Sequence, residues 1–276
     1  MNKIGIMGGR LSSPIENEIQ CFPHHNWQEE FRLAQQVGFN SIDWIVDGYE
    51  QNPIFNDKLI LQMQDLSQKF NVKINTICAD YFLFQKIFNE KDENIEKNMD
   101  FLKRLILQAK KFGIEIIEIP FVDNSSLKTD SDKNELIENL QGISPLIKEN
   151  GIKIALETDL PPRELKKFVE EIDNSNILLN YDVGNSTSLK YDIKEEWELL
   201  SEYFISVHVK DRKFHGNTVP LGNGDVNFSL FFDLMKAKNY SGELIIQGAR
   251  DDLDGNRNNP LSTCDKYFKF VKQYLD

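Results

Sequence analysis

Ile152-Lys153-Ile154-Ala155-Leu156-Glu157, Ile177-Leu178-Leu179-Asn180-Tyr181-Asp182 and Phe204-Ile205-Ser206-Val207-His208 are three short, mainly apolar runs, and each ends in a side chain able to bind a divalent cation. A fourth run, Glu243-Leu244-Ile245-Ile246, ends in Gln247. Short apolar runs separated by helix-like segments read as buried parallel strands. Polar groups recurring at their carboxyl ends then converge on one face.

The same alternation extends outward in both directions. Upstream, strands are expected at Lys3–Met7, Ser41–Val46, Val72–Cys78 and Ile114–Ile119, the last stopped at Pro120. Helices are expected at Trp27–Val37, Asp57–Phe70, Glu93–Phe112 and Lys133–Glu149, with Gly38 and Gly113 as stops and Pro145 as a kink or break. Asp159-Leu160-Pro161-Pro162 starts a further helix. Helices at Ile193–Tyr203, Phe228–Lys238 and Thr263–Tyr274 complete the pattern. Eight strand–helix units without a linker-like break predict one α/β domain over residues 1–276, a single (β/α)8 TIM barrel.

Composition narrows the function. The 276 residues, 40% apolar, can bury a sizeable core. A formal charge of −12 repels phosphate backbones and anionic membrane surfaces, so neither nucleic acid nor membrane is an expected partner. Cys21, Cys78 and Cys264 are widely spaced, without C-x-x-C, and read as reduced thiols in a cytoplasm. No basic-then-apolar signal region opens the chain, and no apolar run approaches about 18 residues.

Barrel enzymes place their chemistry at the carboxyl ends of the strands. Glu157, Asp182, His208 and Gln247 stand there, as do Asp43, Asp80, Glu118, Lys210, Asp211, Arg212 and Arg250. Buried carboxylates are expensive unless paired, bonded or metal-bound, so two carboxylates and a histidine closing consecutive strands are hard to explain as packing. A hydrogen-bonded Glu157–His208 pair without metal is the other reading. The loop over residues 11–26 carries His24 and His25, either near the active face or simply solvated. Gly222-Asn223-Gly224-Asp225 reads as a phosphate cradle or as a turn with a helix cap. Trp44 reads as a sugar contact or as packing.

Ala-Leu-Glu-Thr around Glu157, Asn-Tyr-Asp-Val-Gly-Asn around Asp182 and Val-His-Val-Lys-Asp around His208 resemble the metal-ligand segments of the xylose isomerase-like sugar phosphate isomerase/epimerase superfamily. The likeness runs from Gly5–Leu11 to Thr218–Asp225. It implies a TIM barrel holding one divalent cation, often manganese, through residues of strands five to eight. One departure is Gln247, where the pattern usually has a second glutamate. An amide oxygen can still ligate a hard cation, but glutamine cannot take up a substrate proton. The ligand set Glu157, Asp182, His208 and Gln247 suits Mn²⁺ or Mg²⁺, with Co²⁺ or Zn²⁺ as alternatives.

The expected activity is a metal-dependent isomerase or epimerase acting on a sugar or sugar phosphate through an enediolate, with Glu157 as base. In an epimerisation, proton return falls to another acid such as Glu118 or Asp211. Arg10, Lys210, Arg212, Arg250 and Asn185 are the candidate substrate contacts, and salt bridging with nearby acids, Asp211, Asp251 and Asp252 among them, is the alternative for the cations. Two other functions stay open: a lyase removing water from a keto-sugar or inositol derivative, and a non-catalytic sugar-binding protein. The acidic charge and only four histidines argue against a multi-zinc abasic-site endonuclease. A homodimer is compatible with the exposed helical faces.

Overall fold

The computed structural model describes residues 3–15, 18–250 and 259–276. Its parallel strands are β1 (Ile4–Met7), β2 (Ser41–Ile45), β3 (Thr76–Cys78), β4 (Ile116–Phe121), β5 (Lys153–Thr158), β6 (Ile177–Asp182) and β7 (Phe204–Val209). A two-stranded antiparallel hairpin, β8 (Asp211–Arg212) and β9 (Thr218–Val219), intervenes before the eighth barrel strand, β10 (Glu243–Ile246). The barrel closes in the order β1-β10-β7-β6-β5-β4-β3-β2, as the strand count predicts. Packed around it are α1 (Trp27–Val37), α2 (Asp57–Phe70), α3 (Asp92–Phe112), α4 (Asp130–Asn150), α5 (Pro162–Ile172), α6 (Val183–Ser188), α7 (Ile193–Leu200), α8 (Phe228–Ala237) and α9 (Pro260–Lys272).

Local chemistry sets these boundaries. Asn56 caps α2 by accepting from the amides of Lys58 and Leu59, and Thr129 with Asp132 forms a capping box on α4. The amide-free Pro145 does not break α4. The residue is exposed and so is Gln141, whose carbonyl loses its helical donor and can be hydrated instead. Nor does Pro120 stop β4. Pairing with β3 ends at Glu118, so no ladder donor is needed on that side at Pro120, while pairing with β5 continues to Phe121. The third strand is shorter than its apolar run. Val72 to Asn75 reach the sheet through the isolated bridge Ser41 to Lys73 and through the Asn75 carbonyl, which accepts from the amides of Glu115 and Ile116.

Register decides which side chains meet. Between β6 and β7 the pairing shifts at Leu179/Asn180, after which Asn180 lies opposite Ser206 and Asp182 opposite His208. Glu118 lies opposite Cys78, Pro120 opposite Glu157, and Ile245 opposite His208. Gly5 is required where the barrel is tightest, because a Cβ there would come within 2.5 Å of Ser41 Oγ and 2.6 Å of Ile245 Cδ1.

The end of β6 is seated from outside the barrel. Tyr181 stacks on Phe204 and meets Trp197 edge-on, and its hydroxyl donates to Glu196 Oε2 at 2.9 Å. Ser186 Oγ donates to the same oxygen at 2.5 Å, tying α6 to α7. Burial pushes the Glu196 carboxyl up from 4.5 to about 7, against these hydrogen bonds. A raised acid pKa stabilises the fold fully below the unfolded value and is lost as pH rises through the folded one. Urea unfolding of Glu196→Gln, which keeps a neutral side chain, is therefore expected to lose on the order of 2 kcal/mol less stability than wild type between pH 5 and 8. An unchanged pH dependence contradicts the assignment.

Candidate active site at the carboxyl end of the barrel

Alternation along the strands sends every second residue inward. In this barrel those positions carry polar groups near the carboxyl end: Asp43, Glu118, Asn180, Asp182, Ser206 and His208 are all buried. Such a set demands mutual satisfaction.

His208, without solvent exposure, is the hub. Its Nε2 lies 2.8 Å from Glu118 Oε2 and 3.3 Å from Asp43 Oδ2, while its Nδ1 lies 3.6 Å from Glu157 Oε2. Burial opposes charge on the imidazole, but the Glu118 carboxylate and hydrogen bonds to Asp43 and Glu118 outweigh it and raise the histidine. Burial likewise raises Glu118, against its attraction to the neighbouring imidazole. Nδ1, the ring nitrogen turned toward Glu157, has no hydrogen-bond partner, and in the neutral imidazole with its proton toward Glu118 and Asp43 it carries the lone pair. Only a proton or a cation relieves two facing lone pairs.

Glu157 is oriented from β6 and α6. Asn180 Nδ2 donates to its Oε2 at 3.1 Å, and Asn185 Nδ2 to its Oε1 at 2.6 Å. Asp182 caps α6 by accepting the Asn185 amide at 2.8 Å, and Lys210 Nζ stands 2.8 Å from its other oxygen. Candidate ligand atoms of Glu157, Asp182 and His208 lie within 4.8 Å of one another. Gln247 Nε2 donates to Gln20 Oε1 at 2.9 Å, leaving its buried Oε1 without a donor.

These residues fit a divalent cation. Acidic side chains outnumber the cationic ones beside them, Nδ1 of His208 and Oε1 of Gln247 are unsatisfied, and the donors are hard oxygens with one imidazole. Asp43 and Glu118 stand behind His208, in the place where carboxylates commonly fix the tautomer of a ligating imidazole.

Above this cluster opens a cavity of about 450 Å³, lined among others by Gln20, Asp80, Glu118, Glu157, Asn185, Lys210, Arg212 and Gln247. Of the proposed substrate contacts, Asn185, Lys210 and Arg212 stand together. Arg212 donates to Asn185 Oδ1 at 2.8 Å and to the Gly216 carbonyl, and Lys210 Nζ lies 3.3 Å from the same Asn185 oxygen. Arg10 reaches the cavity wall, but it is buried and donates to the Gly248 and Ile19 carbonyls and to Gln20. Burial and the neighbouring Arg250 lower its pKa to about 10. Arg250 stands apart from this cavity, donating to the carbonyls of Gly9, Ser12 and Ile19 and so fixing the loop after β1. Asp251 and Asp252 lie outside the described residues.

Other expectations are resolved by contacts. The Gly222–Asp225 turn is already filled by an anion of the chain itself. Asp211 Oδ2 accepts from the amides of Gly222 and Gly224, each at 2.8 Å, and its Oδ1 from Val226 at 3.3 Å. The phosphate-cradle reading is therefore corrected, and both Asp211 oxygens are engaged away from the cavity. A Cβ at Gly224 would collide with that carboxylate. Trp44 is packing: it is buried against Phe22, Trp27 and Phe31 with its indole bonded to Asn52. His24 and His25 lie against each other with rings tilted by 57° and do not line the cavity.

The sequence reading passed over Gln20, Cys78 and Asn180. Asn180 precedes Asp182 by two residues on β6, which places the pair on one strand face, a usable signal, and Cys78 closes β3 two residues before Asp80. Gln20 lies in a loop, where no periodicity exists to find it.

Among proteins of known sequence, the chain is similar to a probable L-ribulose-5-phosphate 3-epimerase of Mycoplasma pneumoniae. Identity is 23% over 215 residues, covering 73% of this chain and 70% of that protein. Among solved structures, the D-psicose 3-epimerase of Clostridium cellulolyticum H10 with D-tagatose superposes with a TM-score of 0.78 at 14% identity, covering 99% of both chains. A zinc-bound IolI protein superposes with a TM-score of 0.79 at 14% identity, again covering 99% of both. A sequence model of the xylose isomerase-like TIM barrel family matches residues 31–263. No helix among the described residues is long and apolar enough to cross a membrane.

Asp211→Ala is expected to leave the amides of Gly222, Gly224 and Val226 without their acceptor and to cost about 2 kcal/mol. Thermal unfolding, with amide exchange accelerated at Gly222 and Gly224, measures it. Unchanged exchange contradicts the anchoring role.

Proposed function

Because this chain belongs to the xylose isomerase-like TIM barrel family, we propose that it is a divalent-metal-dependent epimerase or isomerase of a ketose or ketose phosphate, working through an enediolate. The observation that supports this best is His208 Nδ1, buried without a hydrogen-bond partner, facing Glu157 beside Asp182 and beneath a polar cavity. The L-ribulose-5-phosphate 3-epimerase and the D-psicose 3-epimerase named above carry such sugars in their names, which supports this substrate class.

Glu157, Asp182, His208 and Gln247 would hold the cation, through two carboxylates, one imidazole and one amide oxygen. Manganese is the favoured ion for that set, with magnesium, cobalt or zinc as alternatives. When bound, the cation would supply Lewis acidity toward adjacent carbonyl and hydroxyl oxygens of the sugar, lowering the cost of removing the carbon-bound proton between them. Glu157 takes that proton. Its two hydrogen bonds from Asn180 and Asn185 fix the carboxylate in place, and pre-organisation of this kind is what makes a weak base effective. Asp43 and Glu118 keep His208 in one tautomer.

Asn185, Lys210 and Arg212 bind the polar end of the substrate, and a phosphate there would draw on Arg212 more than on Lys210. Lys210 already faces Asp182 at 2.8 Å, whereas among the described residues Arg212 is held by neutral carbonyl oxygens.

The test is exchange of the substrate α-proton with solvent deuterium, followed by NMR on L-ribulose 5-phosphate, D-tagatose and D-psicose with Mn²⁺ present. Wild type is expected to exchange at least one of them. Glu157→Gln is expected to slow exchange by about 10³-fold while unfolding like wild type. Wild-type exchange in that variant removes Glu157 as base. Release of water in place of exchange moves the lyase reading to the front.

A further inference from the structure

Inversion of a carbon centre requires a proton to leave one face and another to arrive on the opposite face, so an epimerase needs two proton-transfer groups or one that changes face. Glu157 supplies one. The eighth barrel strand, which ends in Gln247, supplies no second.

The titratable side chains that line the cavity narrow the choice. Glu118 is engaged with His208 at 2.8 Å, and Lys210 with Asp182 at 2.8 Å. Asp123 is exposed at the rim. The buried Cys78 thiol is pushed well up by burial and donates to Asp80 Oδ1 at 3.2 Å. Asp80 remains. It opens the short turn Asp80–Leu83 at the end of β3 and is only 8% exposed, yet it faces the same cavity as Glu157.

Its position is fixed by an amide bridge. Gln20 Nε2 donates to Asp80 Oδ2 at 2.8 Å, and Gln20 Oε1 accepts from Gln247 Nε2 at 2.9 Å and from Arg10 at 3.0 Å. Thus the amide standing where a glutamate is usual is linked, through one side chain, to a carboxyl on the wall of the cavity.

Resting on the epimerase reading above, we propose that Asp80 is the second catalytic residue, the one that delivers a proton to the face of the substrate carbon opposite Glu157. In the forward direction the carbon-bound proton passes to Glu157, leaving the electron pair in the enediolate. The Asp80 carboxyl then gives its proton to carbon, forming the new C–H bond and leaving a carboxylate. Water restores both groups, removing the proton from Glu157 and returning one to Asp80. The reverse direction exchanges their roles. Burial raises Asp80 to about 6, with Asp47 and Asp43 adding to the rise and the bonds from Gln20 and Cys78 opposing it. Both forms are therefore accessible near neutrality.

The experiment uses full-length protein with Mn²⁺ in D₂O and presents L-ribulose 5-phosphate, D-tagatose and D-psicose, each alongside its C3 epimer. Wild type is expected to exchange and interconvert both members of one pair. Asp80→Asn is expected to exchange only the epimer whose proton faces Glu157, within about threefold of wild type, while interconversion falls about 10²-fold or more. The double variant D80N/Q247E is expected to regain interconversion by restoring a carboxylate on the eighth strand. D80N that interconverts normally overturns the assignment, as does D80N that binds Mn²⁺ yet loses exchange of both epimers. Absence of exchange by wild type with every pair overturns the epimerase reading and the Asp80 assignment with it. Should D80N fail to fold, Gln20→Met, which releases Asp80 while keeping its carboxyl, is read in the same way. A larger loss of interconversion than of exchange supports the proposal, and equal losses overturn it.

Discussion

His208 sits on the inner wall of the barrel with carboxylates on both sides of its ring, Glu118 and Asp43 at Nε2 and Glu157 near Nδ1. An imidazole in that position cannot satisfy both sides with one proton. The side facing Glu118 and Asp43 is relieved by hydrogen bonding, and Nδ1, on the side facing Glu157, is left without a hydrogen-bond partner. The rest of the site follows from that imbalance. Asn180 and Asn185 donate to Glu157, Lys210 faces Asp182, and the remaining acceptors converge where a divalent cation would balance them.

The fold makes such a cluster tolerable. The same strands that carry the polar positions inward pack their alternate residues against the helices, as Tyr181 does with Trp197 and Phe204. Burying unbalanced carboxylates is costly, and on the proposed reading a bound cation would offset that cost. The loops contribute fixed geometry: Asp211 organises the turn at 222–226 through backbone amides, and Arg250 pins the segment after β1 through carbonyls.

Much of this was legible in the sequence. Apolar runs of strand length, each closed by Glu157, Asp182 or His208, gave the barrel and its chemical end together, because strand period and strand polarity are local properties. What local pattern could not supply was pairing across the barrel. The shift at Leu179/Asn180 that sets Asp182 opposite His208 has no sequence signature, nor does Gln20 bridging Asp80 and Gln247 from a loop. Charge alone also misled where the partner is backbone. Arg250 looked like a substrate contact and Asp211 like a proton-returning acid, and they hydrogen-bond main-chain carbonyls and amides. The two prolines read as breaks, Pro120 and Pro145, fall where no backbone donor is needed or where the freed carbonyl can meet water.

The central claim is that the buried cluster around His208 is a cation site. Calorimetric titration of metal-free protein with Mn²⁺, run in parallel on wild type and Glu157→Ala, tests it most directly. One equivalent bound per chain by wild type, with affinity lowered at least about tenfold in the variant, is the predicted result. No binding by wild type, or binding that the variant leaves untouched, contradicts the account.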